Sequence, residues 1–311
     1  MLNTPIDILT QFPIRKTTEQ KQAFRDAVQA YAQELGYTVT IEQPKKKCNN
    51  IVIGDPKNAK YLVTAHYDTP ATSLFPNLIT PTNLVTFLIW QILVVLIFFV
   101  MAFVVTLPVW LITDDRMIRF WAWYIAYFGQ LILLLKGPAN KNNANDNTSG
   151  VVTVLEIART LDPSLRDRVC FVLFDLEEAG LVGSAGYRKT HKAESENQLV
   201  LNLDCVGDGD HIVLFPSKKI KKDPELMKKL KFVGGWFGQK NISVHEKGFC
   251  YYPSDQKHFP LGVGIAAFHK KKGVGLICSK IHTNKDTTLE ITNVNLLRAA
   301  LTTLISGNAV K

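Results

Sequence analysis

GVVTVLEIART (150–160), LDPSLRDR (161–168), VCFVLF (169–174) and DLEEAG (175–180) follow one another without a break. The first segment has apolar residues at helical spacing, so 150–161 reads as a helix. The third is a continuous apolar run of strand length, as a strand covered on both faces requires. The fourth puts two adjacent carboxylates, Glu177 and Glu178, directly beyond that strand. A helix feeding a buried strand that ends in acidic residues is the unit from which α/β folds with sites at their strand ends are built.

The same alternation extends in both directions. Thr17-x-x-Gln20 is a capping box for a helix that runs to Gly36, and short β-type runs follow at 37–41, 50–53 and 61–65. Beyond Gly180, 178–190 reads as helix, 199–204 and 211–215 as strands, 224–237 as helix, 263–268 as strand and 289–305 as a closing helix. The expected fold is α/β, a mainly parallel mixed central sheet flanked by helices.

One long stretch breaks the pattern. The chain is 47% hydrophobic and still 20% charged, yet no charged residue lies between Asp68 and Asp114. Residues 84–112 are almost continuously apolar and 117–135 form a second such run. Each approaches or exceeds the roughly 20 residues that a bilayer core demands. Trp110, Trp121, Trp123, Tyr124 and Tyr127 gather around the turn, as in an interfacial aromatic belt. The reading is therefore a discontinuous domain, 1–73 and 137–311, with an inserted helical hairpin at 74–136. The alternative is a buried hairpin or dimerisation arm. Two spans return both ends to one side, and Lys136, Lys141 and the basic remainder favour the cytoplasm, a bias that Arg116 and Arg119 weaken without reversing.

The formal charge of +9 comes largely from lysine runs at 45–47, 218–222, 228–231 and 270–272. No stacking aromatics are interleaved with them, so nucleic acid is not an expected partner. Solvated surface, or attraction to an anionic membrane leaflet, accounts for them. The five cysteines form no CxxC pair, which fits reduced, mostly buried thiols. Residues 1–16 lack the basic and apolar regions of a secretory signal, consistent with polar parts in the cytosol.

Five short segments place polar residues where apolar patterning cannot explain them. Ala65-His66-Tyr67-Asp68 closes a strand with a potential zinc ligand and a carboxylate two residues on that can hold its second ring nitrogen. Asn145-Asp146-Asn147 precedes a helix, where Asp146 either caps it or bridges two metals. Glu178 beyond the strand 169–174 can be a ligand while Glu177 stays free as general base; acidic residues opening a helix are the plainer reading. Asp204 ends another strand, and His282 precedes Asp286. Two histidines and three carboxylates form a donor set suited to catalytic zinc.

AHYD, ANDNTSG, DLEEAGLVGS, NLD and IHTNKDT, in this order, resemble peptidase family M28, zinc metallopeptidases that include many aminopeptidases. The resemblance covers about 17–70 and 137–305, everything outside the hairpin, and implies a zinc exopeptidase-like sandwich. It further implies two Zn²⁺, with His66 and Asp204 on one, Glu178 and His282 on the other, and Asp146 between them. Cobalt or manganese would suit the same donors. Asp68 would orient His66, and Glu177 would deprotonate the attacking water and pass the proton to the leaving amine. The implied substrate is a peptide that loses its N-terminal residue. Two alternatives are a glutaminyl cyclase-like enzyme using one metal, and a non-catalytic membrane-anchored binding protein on the same fold. Ser254-Asp255 resembles a family loop in which His usually follows; Gln256 stands there instead. Side-chain preference and oligomeric state are not legible in these residues. Because Asp68 and Asp146 flank the hairpin, it must leave from the active-site face. Linkers of roughly ten extended residues, each reaching about 30 Å, would let the domain stand off the membrane.

Overall fold

The computed structural model describes residues 2–73 and 75–307. Among these residues, ten strands, β1 (Val39–Lys45), β2 (Cys48–Ile53), β3 (Tyr61–His66), β4 (Val169–Phe174), β5 (Leu199–Leu203), β6 (His211–Pro216), β7 (Gly235–Phe237), β8 (Lys240–Val244), β9 (Gly262–Lys271) and β10 (Gly275–Ile277), form one mixed sheet. Its order is β1-β2-β4-β3-β5-β9-β6-β8-β7, with β10 beside β9. The four central strands β4, β3, β5 and β9 are mutually parallel, and antiparallel pairs lie outside them. The expected α/β architecture is what the chain adopts.

Strand periodicity sorts the core into two layers. Ile51, Val63, Ala65, Phe171, Leu173 and Leu201 face one way, toward helices α1 (Thr18–Glu34), α4 (Gly150–Thr160) and α7 (Ile291–Ser306). Val52, Leu62, Cys170, Val172, Phe174 and Val200 face the other, where Tyr187 of α5 (Val182–Thr190) and Phe259 cover them. Every residue of β3, β4 and β5 is therefore buried, which is why these strands read as unbroken apolar runs.

The inserted segment forms helices α2 (Leu84–Ile112) and α3 (Arg116–Lys136), packed together as a hairpin. At 1.5 Å per residue α2 is about 44 Å long. Both are long and apolar enough to cross a membrane. Only Phe98, Ala102 and Thr106 of α2 are buried, and no residue of α3 is. Arg119, a cation at the start of an apolar helix, closes the turn: it donates to the carbonyls of Trp110 (2.7 Å) and Thr113 (2.6 Å) and pairs with Asp114. Those are carbonyls at the end of α2 that lack helical partners.

The linkers do not hang free. Ala71 pairs with Ala139 and Ile79 with Cys278 in short β-bridges. Asn83 donates to the Val274 carbonyl (2.9 Å), Tyr251 N–H to Pro81 O (2.9 Å), and Lys16 Nζ to Leu135 O (3.1 Å). Extended linkers would let the domain stand off; here linker groups of both backbone and side chain bond to the domain.

Other differences lie at element ends. The helix expected at 178–190 starts only at Val182, because Leu176, Gly180 and Leu181 have positive φ and wind the chain into a turn. The helix expected at 224–237 stops at Phe232 as helix α6 (Pro224–Phe232), and Gly235 (φ 154°) opens β7. Strands β7 and β10, three residues each, are too short to carry a readable alternation.

Candidate metal centre

The parallel register that aligns His66 with Phe174 puts the ends of β3 and β4 side by side. His66 is the last residue of β3, Glu177 and Glu178 lie in the turn after β4, and Asp204 directly follows β5. Asp146 comes from the segment that leads into α4, which packs across β3, β4 and β5. His282 comes from the loop after β10.

Two ligand sets meet here and share one carboxylate. His66 Nε2 is 3.2 Å from Asp146 Oδ1 and 3.7 Å from Asp204 Oδ1. His282 Nε2 is 3.0 Å from Asp146 Oδ2 and 3.4 Å from Glu178 Oε2. Among the described residues, His66–Asp146–Asp204 and Asp146–Glu178–His282 each present three donor atoms lying within 4.8 Å of one another. His66, Glu177 and Glu178 form a third such group, which puts Glu177 beside both sets. All five expected ligands and the expected base are thus together on one wall of a cleft of about 480 Å³.

The electrostatics call for a cation. Burial pushes Glu178 up to about 8, with His282 opposing it, and pushes Glu177 well above the carboxylate range. Burial lowers His282, but Glu178 and Asp146 override it and bring it to about 9. His66 is likewise raised well above its usual value, burial being outweighed by Glu177 and by its carboxylate neighbours. Asp146 is lowered despite burial by the two imidazoles. Buried carboxylates packed this closely are stabilised by positive charge among them, which divalent metal ions would supply. Glu178 Oε1 and Asp204 Oδ1 are buried without a hydrogen-bond donor, as ligand atoms awaiting a metal would be. The residues present therefore fit a pair of divalent transition-metal ions.

The supports around the ligands refine the expected roles. Asp68 holds His66 mainly through its backbone: Nδ1 lies 3.2 Å from the Asp68 carbonyl and 3.5 Å from its carboxylate. That carboxylate instead accepts the N–H groups of Glu177 (3.0 Å) and Glu178 (3.3 Å) and fixes the turn carrying both. With Nδ1 held by Asp68, Nε2 is the nitrogen left for metal.

Other supports went unassigned in the sequence reading. Asp286 accepts the N–H groups of Asn145 (2.8 Å) and Asp146 (3.0 Å). Asn147 accepts from Gly150 and Cys205 N–H and donates to Leu203 O (2.9 Å), joining the Asp146 segment to the end of β5. Fully buried Arg15 bonds Tyr67 O and Thr148 Oγ1. Their signal was polarity inside buried segments, but the partners lie dozens of residues away. Ser254 and Gln256 both accept from Asn202 Nδ2, and Gln256 donates to Tyr252 O, so Gln256 is a structural strut behind the cleft. Asp255 between them is buried, which lifts it to about 7.

The cleft's far wall is supplied by the insertion. Phe87 and Gln91 of α2 line it together with Tyr251 and Tyr252. Gln91 is the sole polar residue of α2 between Phe87 and Val105, a signal present in the sequence but not used.

Comparison with known proteins places this arrangement. The sequence profile described as Peptidase family M28 matches residues 131–305, more than half of the chain. The chain belongs to peptidase family M28. Aminopeptidase YwaD of Bacillus subtilis (strain 168) is 43% identical over 68 residues, a stretch amounting to 21% of this chain but only 15% of that protein. The LapA aminopeptidase of Legionella pneumophila superposes with a TM-score of 0.57 at 14% identity, covering 99% of this chain and 70% of LapA. The glutaminyl cyclase of Porphyromonas gingivalis superposes with 0.58 at 15%, covering 95% and 93%. At such identities the likeness is one of fold, and the fold is common to both kinds of enzyme.

Proposed function

We propose that this chain is a membrane-anchored di-zinc aminopeptidase that hydrolyses the N-terminal amide of peptides. The observation that carries this reading is the pair of complete ligand sets sharing Asp146, with Glu177 beside them. His66 and Asp204 would hold one Zn²⁺, Glu178 and His282 the other, with Asp146 shared between the two sets. When bound, the ions supply Lewis acidity toward the scissile carbonyl and toward a water molecule. Glu177 takes the proton of the attacking water and delivers it to the departing amine; the C–N bond breaks, leaving a carboxylate and an amine. Asp68 keeps Glu177 and Glu178 in register with His66 through the two amide bonds it accepts.

The apolar, largely unburied faces of α2 and α3 support insertion into a bilayer, both as spans, with the cleft held at the membrane surface by the bonded linkers. Lys136 and Lys141 favour a cytoplasmic catalytic domain.

The test is to purify the full chain in detergent, load it with Zn²⁺, and compare it with Glu177→Gln on amino-acyl amides. The variant is expected to keep about two zinc ions per chain and lose at least about 100-fold in kcat. Undiminished turnover in the variant would falsify the mechanism. One zinc per chain with cyclised glutaminyl product and released ammonia identifies a cyclase instead. A chain without bound metal or turnover identifies a binding protein.

A further inference from the structure

Three cavities follow in series from the metal centre into the hairpin. The first is the 480 Å³ cleft already described. A second, about 230 Å³, shares Glu178, His282, Asn77 and Gln91 with it and continues along α2 past Val94 to Phe98. A third, about 390 Å³, shares Ser73, Phe75, Phe98 and Leu134 with the second and ends between α2 and α3 at Met101 and Gln130. The lining loses charge along this path. Among the described residues, Glu178 and His282 are the only ionisable ones lining the second cavity, and none lines the third. The Phe75 and Phe98 rings meet edge-to-face, 6.1 Å apart, where the two cavities adjoin.

From this geometry we infer that the substrate is an amphiphile whose long apolar chain lies in this channel while its amide sits at the metal centre. The inference rests on the aminopeptidase reading and names its substrate class. Continuity decides the occupant. The string of adjoining cavities begins at two candidate metal ligands and ends on helices apolar enough for a bilayer, so an apolar chain lying along it brings its head to the catalytic groups. The first and third cavities have the volumes of small-molecule sites, and the second and third together exceed what one amino-acid side chain fills.

The test reconstitutes the full chain with Zn²⁺ in phosphatidylcholine vesicles. Two substrate pairs are compared: leucine dodecylamide against leucine butylamide, and 2-aminododecanoyl amide against 2-aminobutanoyl amide. The arms distinguish a chain on the leaving amine from one on the N-terminal residue. Partitioning into the vesicles is common to every variant, so it cancels when long-to-short ratios of kcat/KM are compared. Val94→Trp narrows the second cavity and is expected to lower that ratio at least tenfold in one arm. Leu96→Trp, exposed on α2 and outside all three cavities, is expected to retain it. Independently of turnover, a dodecylamide tipped with a diazirine is expected to crosslink to Phe98, Met101 or Leu134. Ratios unchanged by Val94→Trp in both arms, or crosslinks confined to the outer faces of the hairpin, would overturn the proposal and mark the third cavity as a place for bulk lipid. If crosslinking reaches the channel while no amide is cleaved, the aminopeptidase reading fails and the channel stands.

Discussion

Asp286 binds no ligand side chain, yet it holds the segment that carries the shared one. Its two oxygens accept the adjacent N–H groups of Asn145 and Asp146, so the position of Asp146 depends on a carboxylate 140 residues away in sequence. Replacing it by Asn removes the charge and one acceptor with little change in volume. Supports of this kind typically contribute 10- to 100-fold to metal affinity. Asp286→Asn is accordingly expected to weaken zinc binding by about that factor with the far-UV spectrum unchanged, as read by chelator competition; native affinity would show the clamp to be dispensable. Of the proposed ligands and base, His66, Glu177, Glu178 and Asp204 were legible as polar residues beyond apolar strands, Asp146 as one opening a helix, and His282 through the family motif. Asp286, Asn147 and Arg15 were visible as residues but not as roles, because their partners are remote and no local pattern ties them together.

At the level of elements, the site depends on how closely α4 approaches β5. A Cβ added at Gly150 would lie 2.4 Å from both Asn147 Oδ1 and Leu203 O, so only glycine lets α4 start against the strand end. Gly150→Ala is expected to cost about 1–3 kcal/mol and to loosen metal binding, measurable as a lower thermal midpoint and reduced zinc content. A quite different junction joins α5 to the sheet edge. His191, which caps α5, sits 2.9 Å from Glu42 on β1, and this hydrogen bond raises its pKa above 6.5. A raised folded value means the pair's stabilisation is complete below the unfolded pKa and disappears as pH climbs through the folded one. Glu42→Gln should therefore lower the thermal midpoint at pH 6 and barely at pH 9, the cost not exceeding about 1 kcal/mol at this partly exposed pair. An equal loss at both pH values would assign the effect to packing. Long, fully covered strands announced themselves through apolar runs, whereas the turn 175–181 did not, since its left-handed residues Leu176 and Leu181 are not turn formers by type.

Taken as a whole molecule, the chain joins a sheet with a candidate metal centre at its strand ends to a hairpin whose apolar surface is largely exposed. Large exposed apolar faces on a folded chain need a partner phase. If that phase is a bilayer spanned twice, alkaline carbonate washing of membranes leaves the chain in the pellet; release into the wash would make the hairpin an arm lying on the surface. Metal removal belongs to this scale as well. Zinc binds the folded site alone, so chelation is expected to lower the thermal midpoint and readdition to restore it. Much of this could be read along the chain: apolar runs reported burial between helices, polar residues at their ends reported the donor set, and the charge-free stretch reported the hairpin. Those properties are local, set by the spacing of neighbouring residues. The folded arrangement alone showed that the linkers are bonded down, that Asp68 supports Glu177 and Glu178 as well as His66, and that α2 forms a wall of the cleft. Each of these depends on contacts between residues far apart in the chain, which no local periodicity encodes.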